Sequence, residues 1–82
     1  MSEQTIKNNL LSIIEESEQL QVNDLEVVPG TRIRVKKGRV EEFLNNAKLY
    51  YQLKNGVILT TPNALNEIKQ VYYELSDELA KQ

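Results

Sequence analysis

This chain has no cysteine and no histidine, and only three glycines and two prolines among its 82 residues. Without cysteine there are neither disulfides nor thiolate metal ligands. Without histidine the usual general base, the commonest metal ligand and the ordinary switch near neutral pH are all missing. No apolar run approaches the roughly 18 residues of a membrane span. The opening residues, MSEQTIKNN, carry neither the basic nor the apolar region of a signal peptide. A cytoplasmic protein is therefore expected, and one made inside a host cell by a mobile element fits the same description. No cofactor and no membrane partner are expected.

What is present describes a small α+β domain spanning residues 1–82. A chain of this length buries roughly 60–65% of the surface its unfolded form exposes, so the core is thin. The 40% apolar content suffices for that core, and 27% charged residues is ordinary. Charge is distributed unevenly. Residues 31–40, TRIRVKKGRV, hold all three arginines, two of the seven lysines and no acid. That stretch carries +5, which leaves −7 on the rest of a chain whose net charge is −2.

Apolar spacing sets the elements. Ile6, Leu10, Ile13, Ser17 and Leu20 step 4-3-4-3, with Ile14 flanking, which lines one side of a helix. Ser2 suits its N-cap and Glu3 its first turn. In residues 28–31, Pro29 and Gly30 occupy the centre of a type II turn. Such a turn does not match the twist of a tight two-residue hairpin, so the strands flanking it need not pair directly. Beyond it Ile33 and Val35 alternate with Arg32, Arg34 and Lys36, which puts aliphatics on one strand face and cations on the other. Gly38 opens a second helix with the stripe Val40, Phe43, Leu44 and Ala47. If that helix runs to Lys54, Asn55 and Gly56 form its C-cap, but Leu49 and Leu53 lie opposite the stripe. If the chain turns extended near Lys48, Asn55-Gly56 becomes a type I′ hairpin turn. Leu49, Tyr51 and Leu53 then share a sheet face with Ile58 and Thr60. We adopt the hairpin, because it gives the leucines a home. In the last helix Thr61 is the cap, Pro62 the first helical residue, and Leu65, Ile68, Tyr72, Leu75 and Leu79 the buried seam. The expected order is helix, strand, helix, β-hairpin, helix, with two or three strands packed against the helices.

The basic strand is the leading candidate site. With the hairpin beside it, Arg32, Arg34, Lys36, Tyr50, Gln52 and Lys54 would share an outward face, and Lys37 and Arg39 would extend it. Cations interleaved with an aromatic ring suit an anionic partner. The same cations would equally blunt an exposed sheet edge or pair with the acidic helices. Glu15, Glu16 and Glu18, and likewise Glu74, Asp77 and Glu78, fall on the polar sides of helices, where solvation is the ordinary role. The hydroxyls of Ser12, Ser17, Ser76, Thr60 and Thr61 have no activating base, and Lys36-Lys37-Gly38-Arg39 lacks the spacing of a phosphate-binding loop. An enzyme is not expected. Tyr73, about 100° around the last helix from Tyr72, points out as an interface anchor.

The basic strand followed by two helices resembles ribbon-helix-helix DNA-binding dimers, in which alternate strand side chains enter the major groove. Arg32, Arg34 and Lys36 would fit that role. The segment 38–54 is longer than that family's first helix, residues 57–61 intervene, and an extra helix precedes the strand. Residues 54–57, Lys-Asn-Gly-Val, resemble the wing of winged-helix regulators, but paired helices ahead of it are not evident. Neither resemblance assigns a family. The expectation is a non-enzymatic adaptor or inhibitor that docks on a larger protein or nucleoprotein with an acidic groove. Its site residues would be Arg32, Arg34, Lys36, Lys37, Arg39, Tyr50, Lys54 and Tyr73. The alternative is a DNA- or RNA-binding regulator using the same strand, with the seam of the last helix available for a homodimer.

Overall fold

A computed structural model describes residues 2–82 of the chain. Helix α1 spans Glu3–Glu18, and the Thr5 amide donates to the Ser2 hydroxyl at 3.1 Å as its N-cap. Its buried side chains are Ile6, Leu10, Ile13, Ile14 and Ser17, the face expected from the spacing except that the helix stops at Glu18, short of Leu20. One 3-10 turn, Val22–Asp24, leads into strand β1 at Leu25–Val27. Strand β2, Arg34–Lys36, pairs antiparallel with it, Glu26 opposite Val35.

The two strands pair directly, which the turn type alone did not require. The Thr31 amide donates to the Val28 carbonyl at 3.1 Å with Gly30 at φ +79°, as a type II turn requires. The ladder closes further out, where the Val28 amide donates to the Ile33 carbonyl at 2.8 Å. The connection is therefore residues 29–32, long enough to absorb the twist that a two-residue type II loop would oppose. Thr31 tightens it, since its hydroxyl donates to the Val28 carbonyl and accepts from the Ile33 amide.

Gly30 has a second constraint besides its φ. A Cβ built there would come within 2.7 Å of Leu65 Cδ1. Gly30→Ala is expected to cost about 1–2 kcal/mol, from the left-handed backbone alone, with Leu65 forced aside as well. Urea unfolding measures this, and an unchanged midpoint would contradict the turn geometry.

Helix α2 runs Val40–Asn55 and α3 runs Leu65–Ala80. The class is α+β, but the strand pair lies between the first two helices instead of the last two. Residues 49–54 are helical, so the hairpin adopted from the sequence is replaced by its alternative, and no wing forms at residues 54–57. Gly56, at φ +67°, caps α2, with its amide and that of Val57 both donating to the Gln52 carbonyl. Phe43, Ala47 and Tyr50 step 4-3 along the buried side, so aromatic rings carry the stripe onward past Ala47. Leu49 and Leu53 are left exposed. Gly38, at φ +86°, makes a turn ahead of the helix, where the Arg39 amide donates to the Lys36 carbonyl.

The start of α3 also differs from expectation. Thr61 and Pro62 precede the helix, and Ala64, at φ 41° with its methyl buried, is the residue before Leu65. The path of the chain explains this. Lys7 near the start of α1 pairs with Glu78 near the end of α3, while Glu16 near the end of α1 pairs with Lys36 just before α2. Both later helices thus run back along α1, so the chain must return along α2 before α3 begins. On that return the Leu59 amide donates to the Gln52 side chain and Lys48 Nζ donates to the Pro62 carbonyl at 2.8 Å. The Pro62 carbonyl is spoken for by lysine and starts no helix.

One core results. Val28, Ile33 and Val35 from the hairpin meet Ile6, Leu10 and Ile14 of α1, Phe43 of α2, and Ile68, Val71 and Leu75 of α3. The seam of α3 is spent inside the domain, with Tyr72 and Leu79 packed at its margin. Among the described residues, no helix is long and apolar enough to cross a membrane.

Candidate functional site

The alternation read from the basic strand holds in three dimensions. Ile33 and Val35 are buried, and Arg32, Arg34 and Lys36 are exposed. What fixes the strand is Ser17, whose buried hydroxyl donates to the Ile13 carbonyl at 2.7 Å and accepts from the Lys36 amide at 2.9 Å. The free edge of β2 is thereby tied to the end of α1.

That tie divides the cations into two sets. Glu16, one residue before Ser17, meets Lys36 Nζ at 2.8 Å. The hydrogen bond from Lys36 holds the Glu16 carboxyl below its usual range. Arg39 Nη1 meets Glu42 Oε2 at 2.6 Å, one helical turn on, and this contact raises the guanidinium further above its ordinary value. By contrast, Arg32, Arg34, Lys37 and Lys69 belong to no ion pair among the described residues.

Arg32 and Arg34 lie where the hairpin faces α3. A shallow depression is lined by Gly30, Thr31, Arg32, Lys69 and Tyr73. A second is lined by Arg32, Arg34, Ser17, Glu18, Leu20, Leu25 and Tyr72. Arg32 is common to both walls, so the two form one strip. Tyr73 is 55% exposed at its edge and meets Tyr72 edge-on, ring centroids 5.2 Å apart. Tyr72 in turn meets Phe43 edge-on at 6.0 Å. The exposed ring is thus the outermost of three stacked against the core, which gives it a rigid base. Burial pushes the Tyr72 phenol up from its ordinary value, so it stays neutral at neutral pH.

Other expected site residues lie elsewhere. Tyr50 is only 4% exposed, a correction that follows from the helical course of α2. Burial pushes its phenol up. Lys54 sits over the Tyr50 ring and bonds to Glu74 of α3, which raises its amine. Both are remote from the strand. Lys37 is exposed at the turn after β2, and Lys36 and Arg39 are engaged by carboxylates of the chain itself. Lys69 was missed, although it stands four residues before Tyr73 and so shares its helix face. Among the described residues, no three acidic side chains gather as a metal site would require. In comparisons with known proteins, no family model matches the chain, and no curated protein or solved structure is significantly similar to it.

Proposed function

We propose that this chain is a non-enzymatic intracellular binding protein that docks on an acidic surface of a larger protein or nucleoprotein. Arg32, Arg34, Lys69 and Tyr73 would make the contact. The observation that carries this is a pair of guanidinium groups, Arg32 in the hairpin connection and Arg34 in β2, exposed and outside any internal ion pair among the described residues, beside a rigidly based tyrosine. Arginine and tyrosine are the residues that anchor protein interfaces most often, because each presents a large pre-organised contact area.

An acidic protein segment is favoured over a nucleic acid by what borders the strip. Glu18 lines the same wall as Arg34, and Glu74 and Asp77 lie beyond Tyr73. A long polyanion would run onto those carboxylates, whereas a short acidic stretch would not.

The test is a fluorescence titration with a short Glu/Asp-rich peptide at about 50 mM salt, repeated with a DNA duplex and a single-stranded RNA. The double variant R32A/R34A is expected to weaken peptide binding by at least about tenfold, equivalent to ~1.4 kcal/mol. Equal binding by variant and wild type would remove the strip from the function. Tighter binding to DNA or RNA, with a log–log salt slope near −3 on the duplex or near −2 on the single strand for contacts from Arg32, Arg34 and Lys69, would make nucleic acid the partner.

A further inference from the structure

We infer that the outward face of the second half of α2 docks a second copy of this chain, at a surface separate from the basic strip. Leu49 and Leu53 stand one turn apart on that face, both exposed. Gly56 then ends the helix, and Val57 and Ile58 follow at the same end, with Ile58 85% exposed. Together these four side chains leave on the order of 350 Å² of apolar surface open, the size of patch that monomers keep chiefly for a use.

Area and charge both select a second copy as the occupant. A standard interface removes about 800 Å² per partner, a little over half of it apolar, so this patch supplies most of the dry centre of a small symmetric one. The polar neighbours on this part of α2 are Asn45, Gln52 and Asn55, all uncharged. The nearby amines are turned away, Lys48 to the Pro62 carbonyl and Lys54 to Glu74. Along the same column the first charge is Glu42, two turns back and paired with Arg39. Two copies therefore meet without like charges opposed, while a strongly acidic or basic partner finds nothing to pair with. A two-fold axis would lay the two α2 helices antiparallel, with Leu49 of each against Leu53 of the other.

Sedimentation equilibrium from about 1 to about 500 μM tests this. The wild type is expected to show a monomer–dimer equilibrium with a roughly micromolar dissociation constant. L53E and I58E should each raise that constant at least about tenfold, and R32A/R34A should leave it unchanged, which separates this surface from the proposed function. Ile58 is exposed enough that I58E retains the fold, which a circular dichroism melt verifies. As the chain has no cysteine, oxidising a mixture of L49C and L53C copies should yield a covalent heterodimer, where L49C mixed with R34C yields none. A wild type that stays monomeric across the range would overturn the inference. So would a dimer indifferent to both glutamates, or a hetero-partner that occupies this face while the free protein remains monomeric.

Discussion

Phe43→Ala is expected to lower the free energy of unfolding by about 3–5 kcal/mol. Phe43 is the largest of the fully buried side chains among the described residues. It lies where α2 meets the edge of the Tyr72 ring, so its removal leaves a void bounded by two helices and the hairpin. Those walls collapse poorly, because each is fixed by its own hydrogen-bonded backbone. Domains of this size have only about 5–10 kcal/mol in total, so the variant should be partly unfolded at physiological temperature. Urea unfolding by circular dichroism measures it, with the exposed Tyr73→Ala expected to move stability by about 0.5 kcal/mol or less. A cost near 1 kcal/mol for the phenylalanine would mean that the core repacks around the gap.

Ser17→Ala is expected to cost about 1–3 kcal/mol, although it removes a single oxygen. The hydroxyl accepts from the Lys36 amide and donates to the Ile13 carbonyl, and Ser17 is the one polar residue buried in the core region among the described residues. Alanine keeps the packing but leaves the Lys36 amide without a partner at the junction of α1 and β2. Desolvation of that amide outweighs the small gain in helix propensity from alanine. The same change should loosen the basic strand, seen as faster amide exchange at Lys36. Unchanged stability with unchanged exchange would show that water reaches the amide and that the serine ties nothing.

Three elements were legible in the sequence because their signals are local. The 4-3-4 step from Ile6 to Ser17, the Pro29-Gly30 turn and the Ile33/Val35 alternation each depend on a few neighbouring residues. Ile68 and Leu75 in the seam of α3 were legible for the same reason, whereas Val71 takes the buried place expected of Tyr72. The course of residues 49–54 was not, because two leucines facing outward looked misplaced while Tyr50 was read as a surface ring. Tyrosine serves both environments, and only the packing of α2 against α1 and α3 decides between them. The Thr61-Pro62 start signal failed for a topological reason. Both α2 and α3 run back along α1, so those residues fall on the return path, where Lys48 takes the Pro62 carbonyl. Strand β1 has three residues and no alternation of its own, and exists because β2 is there to pair with it.

Much of the candidate site was legible too. Arg32, Arg34 and Tyr73 were named from the sequence, and the structure sets them along one strip. Lys36 and Arg39 were not separable from them by composition. Their difference comes from Glu16, brought in by the end of α1, and from Glu42, one turn into α2. Lys69 reaches the strip only because α3 passes the tip of the hairpin.

The central place of α1 has a consequence for biosynthesis. Its buried face touches β2, α2 and α3, all of which are translated after it. While the chain emerges from a ribosome, Ile6, Leu10, Ile13 and Ile14 are covered only in part until α3 is made. The Lys7–Glu78 pair cannot form before Glu78 has been added. The domain is thus closed by later elements folding over an earlier helix, and until they do the apolar face of α1 is surface a chaperone could cover.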